Sequence, residues 1–218
     1  MEPESRKILV EGAARFGIRL DESALIAFDL FLGELQKWNR KINLTAIRTE
    51  RDVVIKHFLD SLSLYPCLPK TGALVDLGSG AGFPGIPLKI IQPSYDVTLI
   101  DSVLKKVDFQ RHICRTLGLK GITAIHGRLQ DREIVDRLEE TFDVALSRAL
   151  ADPRTFLDLS YPFLKKGGVA LWMKGKVEEQ DLQTLVSETR ARYRTRERVS
   201  FVLPFSSMNR SIILFEKA

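Results

Sequence analysis

Asp76 and the glycines behind it carry the plainest chemistry in the chain. In Ala73-Leu74-Val75-Asp76-Leu77-Gly78-Ser79-Gly80-Ala81-Gly82-Phe83-Pro84-Gly85 an apolar run ends in an acid and opens at once into glycines. The run reads as a buried parallel strand. Ile86 onward reads as a helix with Pro87 in its first turn. Strand, glycine turn and helix together make a nucleotide-binding corner, because glycines allow a tight turn and a close ligand, with the helix N-terminus facing it. Four glycines in eight residues exceed what a bare turn needs. Asp101 ends the next apolar run, about twenty residues past the turn, where such folds set a carboxylate against ribose hydroxyls. Capping the following helix is the alternative role for Asp101 or Ser102.

Two glycine registers overlap. Gly80, Gly82 and Gly85 spell G-x-G-x-x-G, the fingerprint of a dinucleotide site and hence of a NAD-dependent oxidoreductase. Gly78, Gly80 and Gly82 spell G-x-G-x-G, with Asp76 two positions ahead. The first register starts two residues beyond the apolar run and sets Pro84 inside the turn. The second starts where the strand ends, and it is preferred. An acid followed by G-x-G-x-G resembles the first motif of class I S-adenosylmethionine (SAM) methyltransferases. Spacing alone does not choose between the two cofactors.

In an open α/β sheet, ligands meet the carboxyl ends of the strands. The third such end carries His126-Gly127-Arg128-Leu129-Gln130. In SAM folds this loop meets the adenine, with Leu129 placed to pack on the ring and Gln130 to hydrogen-bond its edge. Ordinary loop packing is the alternative for both. The fourth end is Ser147-Arg148-Ala149-Leu150. Enzymes that methylate exocyclic amines of bases commonly carry an Asn/Asp-Pro-Pro-aromatic tetrapeptide there, so adenine-N6 and cytosine-N4 chemistry are disfavoured. Arg148 can donate paired hydrogen bonds to O6 and N7 of guanine, or bridge to a carboxylate as a structural pair. The residue alone leaves both open. Lys174-Gly175-Lys176 follows the fifth strand. Arginine then alternates at Arg190, Arg192, Arg194, Arg196 and Arg198, which on a strand sets five guanidinium groups on one face. That is a phosphate-tracking stripe or, the preferred reading, an edge strand guarded by charge. His57 and Asp60, three apart on a helix, read as a surface pair.

These side chains need a scaffold, and 218 residues suffice for one sizeable α/β domain with an appendage. Hydrophobic content of 44% and charged content of 28% are those of an ordinary soluble globule. No apolar run reaches membrane-spanning length, and Met1 to Ser5 has nothing of a signal peptide. Cys67 and Cys114 make no metal spacing, suggest a reducing compartment and read as core filling. Pro66-Cys67 resembles the nucleophile dipeptide of cytosine-C5 methyltransferases but precedes the cofactor motif, which rejects that role. A net charge of +5 is compatible with a polyanionic partner. Helices are expected over 4–16, 22–38 and 50–64, the second with a buried stripe of Leu25, Phe28, Leu35 and Trp38. Strands are expected at 73–77, 96–100, 122–126, 142–147 and 168–173, alternating with helices near 86–92, 103–117, 129–139 and 153–161. A helix near 177–189 precedes strands at 196–203 and 210–216, which a short turn makes an antiparallel hairpin. Five parallel strands ending in a hairpin match the seven-stranded class I methyltransferase sheet, a Rossmann-like α/β fold. Residues 1–66 then form an N-terminal helical cap and 67–218 the SAM-binding domain.

Over nearly its full length the chain resembles the ribosomal RNA small-subunit methyltransferase G family (RsmG, also called GidB). The resemblance rests on Trp38-Asn39-Arg40-Lys41-Ile42-Asn43-Leu44-Thr45, on His57-Phe58-Leu59-Asp60-Ser61, and on the cofactor loop with its Phe83-Pro84-Gly85-Ile86-Pro87 tail. Ser147-Arg148-Ala149 and Lys174-Gly175-Lys176 complete it. It implies SAM contacts at positions matching Gly78, Phe83, Leu129, Gln130 and Arg148, to which the motif reading adds Gly80, Gly82, Asp101 and Ser102. Arg148 is then the catalytic candidate, and Lys174 and Lys176 the substrate-binding ones. The activity implied is N7 methylation of one guanosine in a 16S rRNA loop near the decoding centre, by a cytoplasmic monomer without metal. A non-catalytic RNA-binding protein that keeps SAM is the other alternative.

Overall fold

The computed structural model describes residues 1–148 and 152–218; Ala149 and Leu150 of the fourth strand-end motif lie outside them. Seven strands form one sheet in the order β3-β2-β1-β4-β5-β7-β6. They are β1 (Gly72–Leu77), β2 (Tyr95–Asp101), β3 (Ile122–His126), β4 (Phe142–Ser147), β5 (Leu164–Lys174), β6 (Tyr193–Val202) and β7 (Asn209–Lys217). The first five pair in parallel, while β7 runs antiparallel between β5 and β6. The order reverses beside β1, so the carboxyl ends of β1, β2 and β4 border one crevice.

The cap begins with α1 (Pro3–Ala14) and α2 (Glu22–Ile42). Asp21 caps α2 by accepting the Ala24 N–H, and Asn43 ends it with φ of 51°. The stripe Leu25, Phe28, Phe31, Leu32 and Leu35 is buried, and α2 runs four residues past its expected end. The helix expected over 50–64 is three pieces: α3 (Glu50–Val53), a π-helical turn (Val54–Leu59) and α4 (Asp60–Leu62). It is buried almost all round. His57 and Asp60 are therefore no surface pair; both lie inside, which corrects that expectation.

Alternation along the strands divides the core. One cluster joins Phe28, Phe31, Leu32 and Phe58 of the cap to Leu74, Leu99, Val144, Leu171 and Ile212 of the sheet. After α5 (Gly85–Ile91), α6 (Leu104–Thr116) and α7 (Arg132–Leu138) come α8 (Pro153–Ser160) and α9 (Glu179–Thr189), under which the other face carries Val75, Ile100, Ala145, Trp172 and Phe215. The arginine stripe is also corrected. Only Arg194, Arg196 and Arg198 lie on β6, and a bulge between Thr195 and Glu197 shifts the register and breaks the common face. β6 is an edge strand. Arg192 pairs with Asp158, Arg196 with Glu216 and Arg198 with Glu179.

Candidate functional site

The glycine turn starts where β1 stops. Gly78 adopts φ of 74°, Gly80 58° and Gly82 88°, values that residues with a side chain reach only with strain. The Gly78 and Ser79 N–H groups both donate to Ile100 O, at 2.9 and 3.1 Å, which ties the turn to β2. Gly80 is gripped from both sides. Its N–H donates to Asp101 Oδ2 at 2.8 Å, and its carbonyl accepts from Gln110 Nε2 at 2.8 Å. Asp101 Oδ1 takes the Val103 N–H at 2.9 Å. Asp101 does not cap the following helix, whose N-cap is Val103 without a side-chain bond; it ties the glycine turn with one oxygen and its own chain two residues on with the other.

A Cβ added at Gly80 would meet nothing within 4 Å, whereas at Gly82 it would meet Ile86 Cδ1 at 2.3 Å. Gly80 faces open space; Gly82 faces packing. Behind the turn, Asp76 is fully buried, with Oδ2 accepting the Gly85 N–H at 2.8 Å and Oδ1 without a partner among the described residues. Burial pushes its carboxyl up to about 7, against the pull of the Gly85 N–H and Arg148 and with a further push from Asp101.

Arg148 ends β4 facing the cap. Its Nη1 donates to Lys56 O at 3.0 Å and lies 3.8 Å from Asp60 Oδ2; its Nη2 donates to His57 Nδ1 at 2.8 Å. A guanidinium only donates, so Nδ1 accepts, and the imidazole proton sits on Nε2, 2.8 Å from Thr45 Oγ1. Burial, then the Arg148 charge, pushes His57 down to about 3. The ring is neutral with both nitrogens engaged. Phe83 stacks on His57 at 4.5 Å and 10°, and on Phe31 at 5.1 Å and 16°, with Arg148 Cζ 5.1 Å from its centroid. With Phe83 3% exposed, its ring is committed to this stack. Asp60 accepts from Arg210 Nε at 2.6 Å, and Asn39 brackets Thr45, accepting its N–H and donating to its carbonyl at 2.9 Å each.

The structure thus brings Gly78, Gly80, Gly82 and Asp101 into one hydrogen-bonded corner. Arg148 and Phe83 stand together beside it. Ser102 is exposed, its carbonyl 3.2 Å from His126 Nε2. Leu129 is half-buried against the lower core, and Gln130 is exposed on the loop after β3. Lys174, the last residue of β5, and Lys176 just after it are exposed, Lys174 over the Trp172 ring and Lys176 paired with Glu178. Sequence reasoning missed Gln110, Thr45 and Arg210, and misassigned His57 and Asp60. Gln110 had a readable signal: it stands among Val107, Phe109 and Ile113 on the buried side of α6 (Leu104–Thr116), where an amide needs a partner. Arg210 has none.

Residues 25–212 match the family described as rRNA small subunit methyltransferase G. The chain is 43% identical over 215 residues to the ribosomal RNA small subunit methyltransferase G of Geobacter metallireducens, covering 98% of this chain and 97% of that one. It is 39% identical over 219 residues to the protein of the same name from Caldanaerobacter subterraneus subsp. tengcongensis, covering 100% and 92%. Among solved structures, a SAM-dependent methyltransferase from Aquifex aeolicus aligns with a TM-score of 0.58 at 16% identity, over 76% of this chain and 93% of that one, a likeness of fold. The glycine corner, the strand order with its inserted antiparallel strand and these matches over almost the whole length agree: the chain belongs to the rRNA small subunit methyltransferase G family and has the fold of the SAM-dependent methyltransferases.

Proposed function

We propose that this protein methylates N7 of a guanosine in 16S rRNA, with S-adenosylmethionine as the methyl donor. The residues fit that donor. Gly80 opens onto free space beside the Asp101 carboxylate, with the Asp76 carboxyl buried behind the turn. Acceptors of this kind suit a ligand bearing hydroxyls, an ammonium and a sulfonium. A dinucleotide site carries a ribose-binding acid at the same place, so membership of the rRNA methyltransferase family, not this acid, counts against an oxidoreductase.

When bound, SAM supplies an electrophilic methyl group. Gly78, Gly80, Gly82 and Asp101 would hold it, with Leu129, Gln130 and Ser102 on its adenosine side and Phe83 contributing backbone. The observation that carries the guanine-N7 reading is the locked, neutral His57. This histidine, which bonds Arg148, has both nitrogens engaged and no capacity to take a proton at neutral pH. Guanine N7 needs no such base, because its lone pair is free and it carries no proton. The task left to the chain is orientation. Arg148 would orient the base or the donor with its fixed planar guanidinium, and Lys174 and Lys176 would meet phosphates beyond β5. In A-form RNA the major groove hides N7 from side chains, so a loop or an opened helix is the target. The reading takes the protein as a monomer acting in the cytoplasm.

Mass spectrometry of nucleosides from 16S rRNA incubated with the protein and SAM tests this, using deproteinised RNA and small subunits from cells that lack the protein. The expected product is 7-methylguanosine. A methyl group on an exocyclic amine, or none on either substrate, would overturn the reading.

A further inference from the structure

The stretch Trp38–Arg48 is only partly absorbed by the site. Asn39 and Thr45 serve the Arg148 network, but the same loop folds back over the end of α2 to enclose a groove of about 500 Å³. Leu35 and Ile47 lie among its lining, with Arg40, Arg48 and Asn43 exposed around it. Neither guanidinium has an ion-pair or hydrogen-bond partner among the described residues. The carboxylates near by are engaged elsewhere: Glu34 with His112, Asp52 with Lys56, and Glu50 with the Glu2 N–H. The β6 edge is the contrast, since its Arg196 and Arg198 already have carboxylate partners.

That difference decides where a polyanion gains most. Binding to phosphates is driven by cations that displace condensed counterions. An arginine already neutralised by a carboxylate must first give up that partner. Arg40 and Arg48 have nothing to give up. Their groove is also mechanically close to the site, because Thr45, bracketed by Asn39, hydrogen-bonds His57, which hydrogen-bonds Arg148. A strand held by its phosphates on the cap is thereby held in register with the end of β4. Phosphate contacts position a nucleic acid in this way without reading its sequence.

We propose that the cap groove between Arg40 and Arg48 is a docking site for the RNA backbone beside the target nucleotide, and that the carboxylate-paired Arg196 and Arg198 of β6 are not. This rests on the reading that the substrate is RNA. The test is a titration of deproteinised 16S rRNA from cells lacking the protein, followed by fluorescence anisotropy over a series of salt concentrations. Arg40→Gln/Arg48→Gln is expected to weaken binding at least about tenfold and to lower the magnitude of the salt slope by about 1–2. SAM affinity by calorimetry and the thermal melt should stay those of wild type. Arg196→Gln/Arg198→Gln should leave RNA affinity and slope unchanged, and Arg40→Lys/Arg48→Lys should restore the slope. Unchanged affinity in the Arg40/Arg48 variant overturns the proposal. So does an equal loss in the β6 variant, which would report only the number of charges removed, or a failure of the lysine variant to restore the slope. If polyglutamate binds as tightly as RNA with the same dependence on Arg40 and Arg48, the groove is a general anion surface and the assignment to RNA falls. The functional reading fails differently, by an absence of methylated nucleoside with wild-type protein.

Discussion

His57 has a fixed tautomer because its neighbours leave it no choice. Arg148 donates to one nitrogen, and Thr45 stands at the other. Protonating the ring would break the Arg148 bond and bury a second positive charge beside the first. The unfolded chain takes that proton near pH 6.5, while the folded chain resists to about 3. Between these values the unfolded state binds more protons, so this contribution to stability is complete above pH 6.5 and is lost as pH falls toward 3. The stability difference between wild type and His57→Gln should therefore grow as pH rises from 3 to 6.5, then level off. Chemical denaturation at a series of pH values checks it, and a pH-independent difference would show a ring that titrates normally. Arg148→Lys is a harsher change. Lysine has one nitrogen and cannot reach Lys56 O and His57 Nδ1 together. The variant should melt earlier, since an unpaired buried acceptor costs about 1–3 kcal/mol. It should also lose at least about tenfold in single-turnover methyl transfer well below its melt, or about 1.4 kcal/mol of transition-state stabilisation. Near-normal turnover at that temperature would leave Arg148 a structural pair only.

Among the elements, the glycine turn combines two kinds of glycine requirement. At Gly80 the backbone is left-handed but the space is open; at Gly82 a methyl group would strike Ile86. Gly80→Ala should cost about 1–2 kcal/mol of stability and abolish measurable SAM binding, because its Cβ projects into the open cradle. Gly82→Ala should destabilise more, through overpacking added to the same strain. Paired melts and calorimetry decide between them, and full SAM affinity in Gly80→Ala would show that the cradle lies elsewhere. This turn was legible in the sequence because its chemistry is local: an acid, then glycines, then an apolar helix, all within one βα unit. The strands were legible for the same reason, as short apolar runs between turn residues. What escaped joins distant positions. His57 meets Arg148 across 91 residues and Asp60 meets Arg210 across 150, with no local pattern at either end. A helix buried all round has no solvent face, so the rule that made His57 and Asp60 a surface pair did not apply. The bulge in β6 escaped because one extra residue in a strand leaves no mark in composition.

For the molecule as a whole, cap and sheet share one core. Phe31 stacks on Phe83 in the cofactor loop itself, and His112 on α6 bonds Glu34 on α2 at 2.6 Å. Removing residues 1–66 would uncover Leu74, Leu99, Val144, Leu171 and Ile212 together. A chain without them is expected to lack a cooperative melt and to bind a hydrophobic dye. A sharp transition near that of the full chain would show instead that residues 67–218 stand alone.

The place of β7 has a consequence for the order in which the protein is made. It is the last strand in the chain, yet it lies inside the sheet, between β5 and β6. Until it emerges, β5 ends the sheet with an open edge, and β6 has no strand to pair with. Unpaired edges of this kind invite other chains, and synthesis proceeds at only about 5–20 residues per second. Arg210, on that late strand, then clasps Asp60, on a helix made long before it. A nascent chain interrupted between the end of β5 and residue 209 contains the residues of its glycine corner but not the clasp beside Arg148. Truncated products of translation would accordingly be incomplete methyltransferases with one sticky edge, and the full site is assembled only when its final strand is in place.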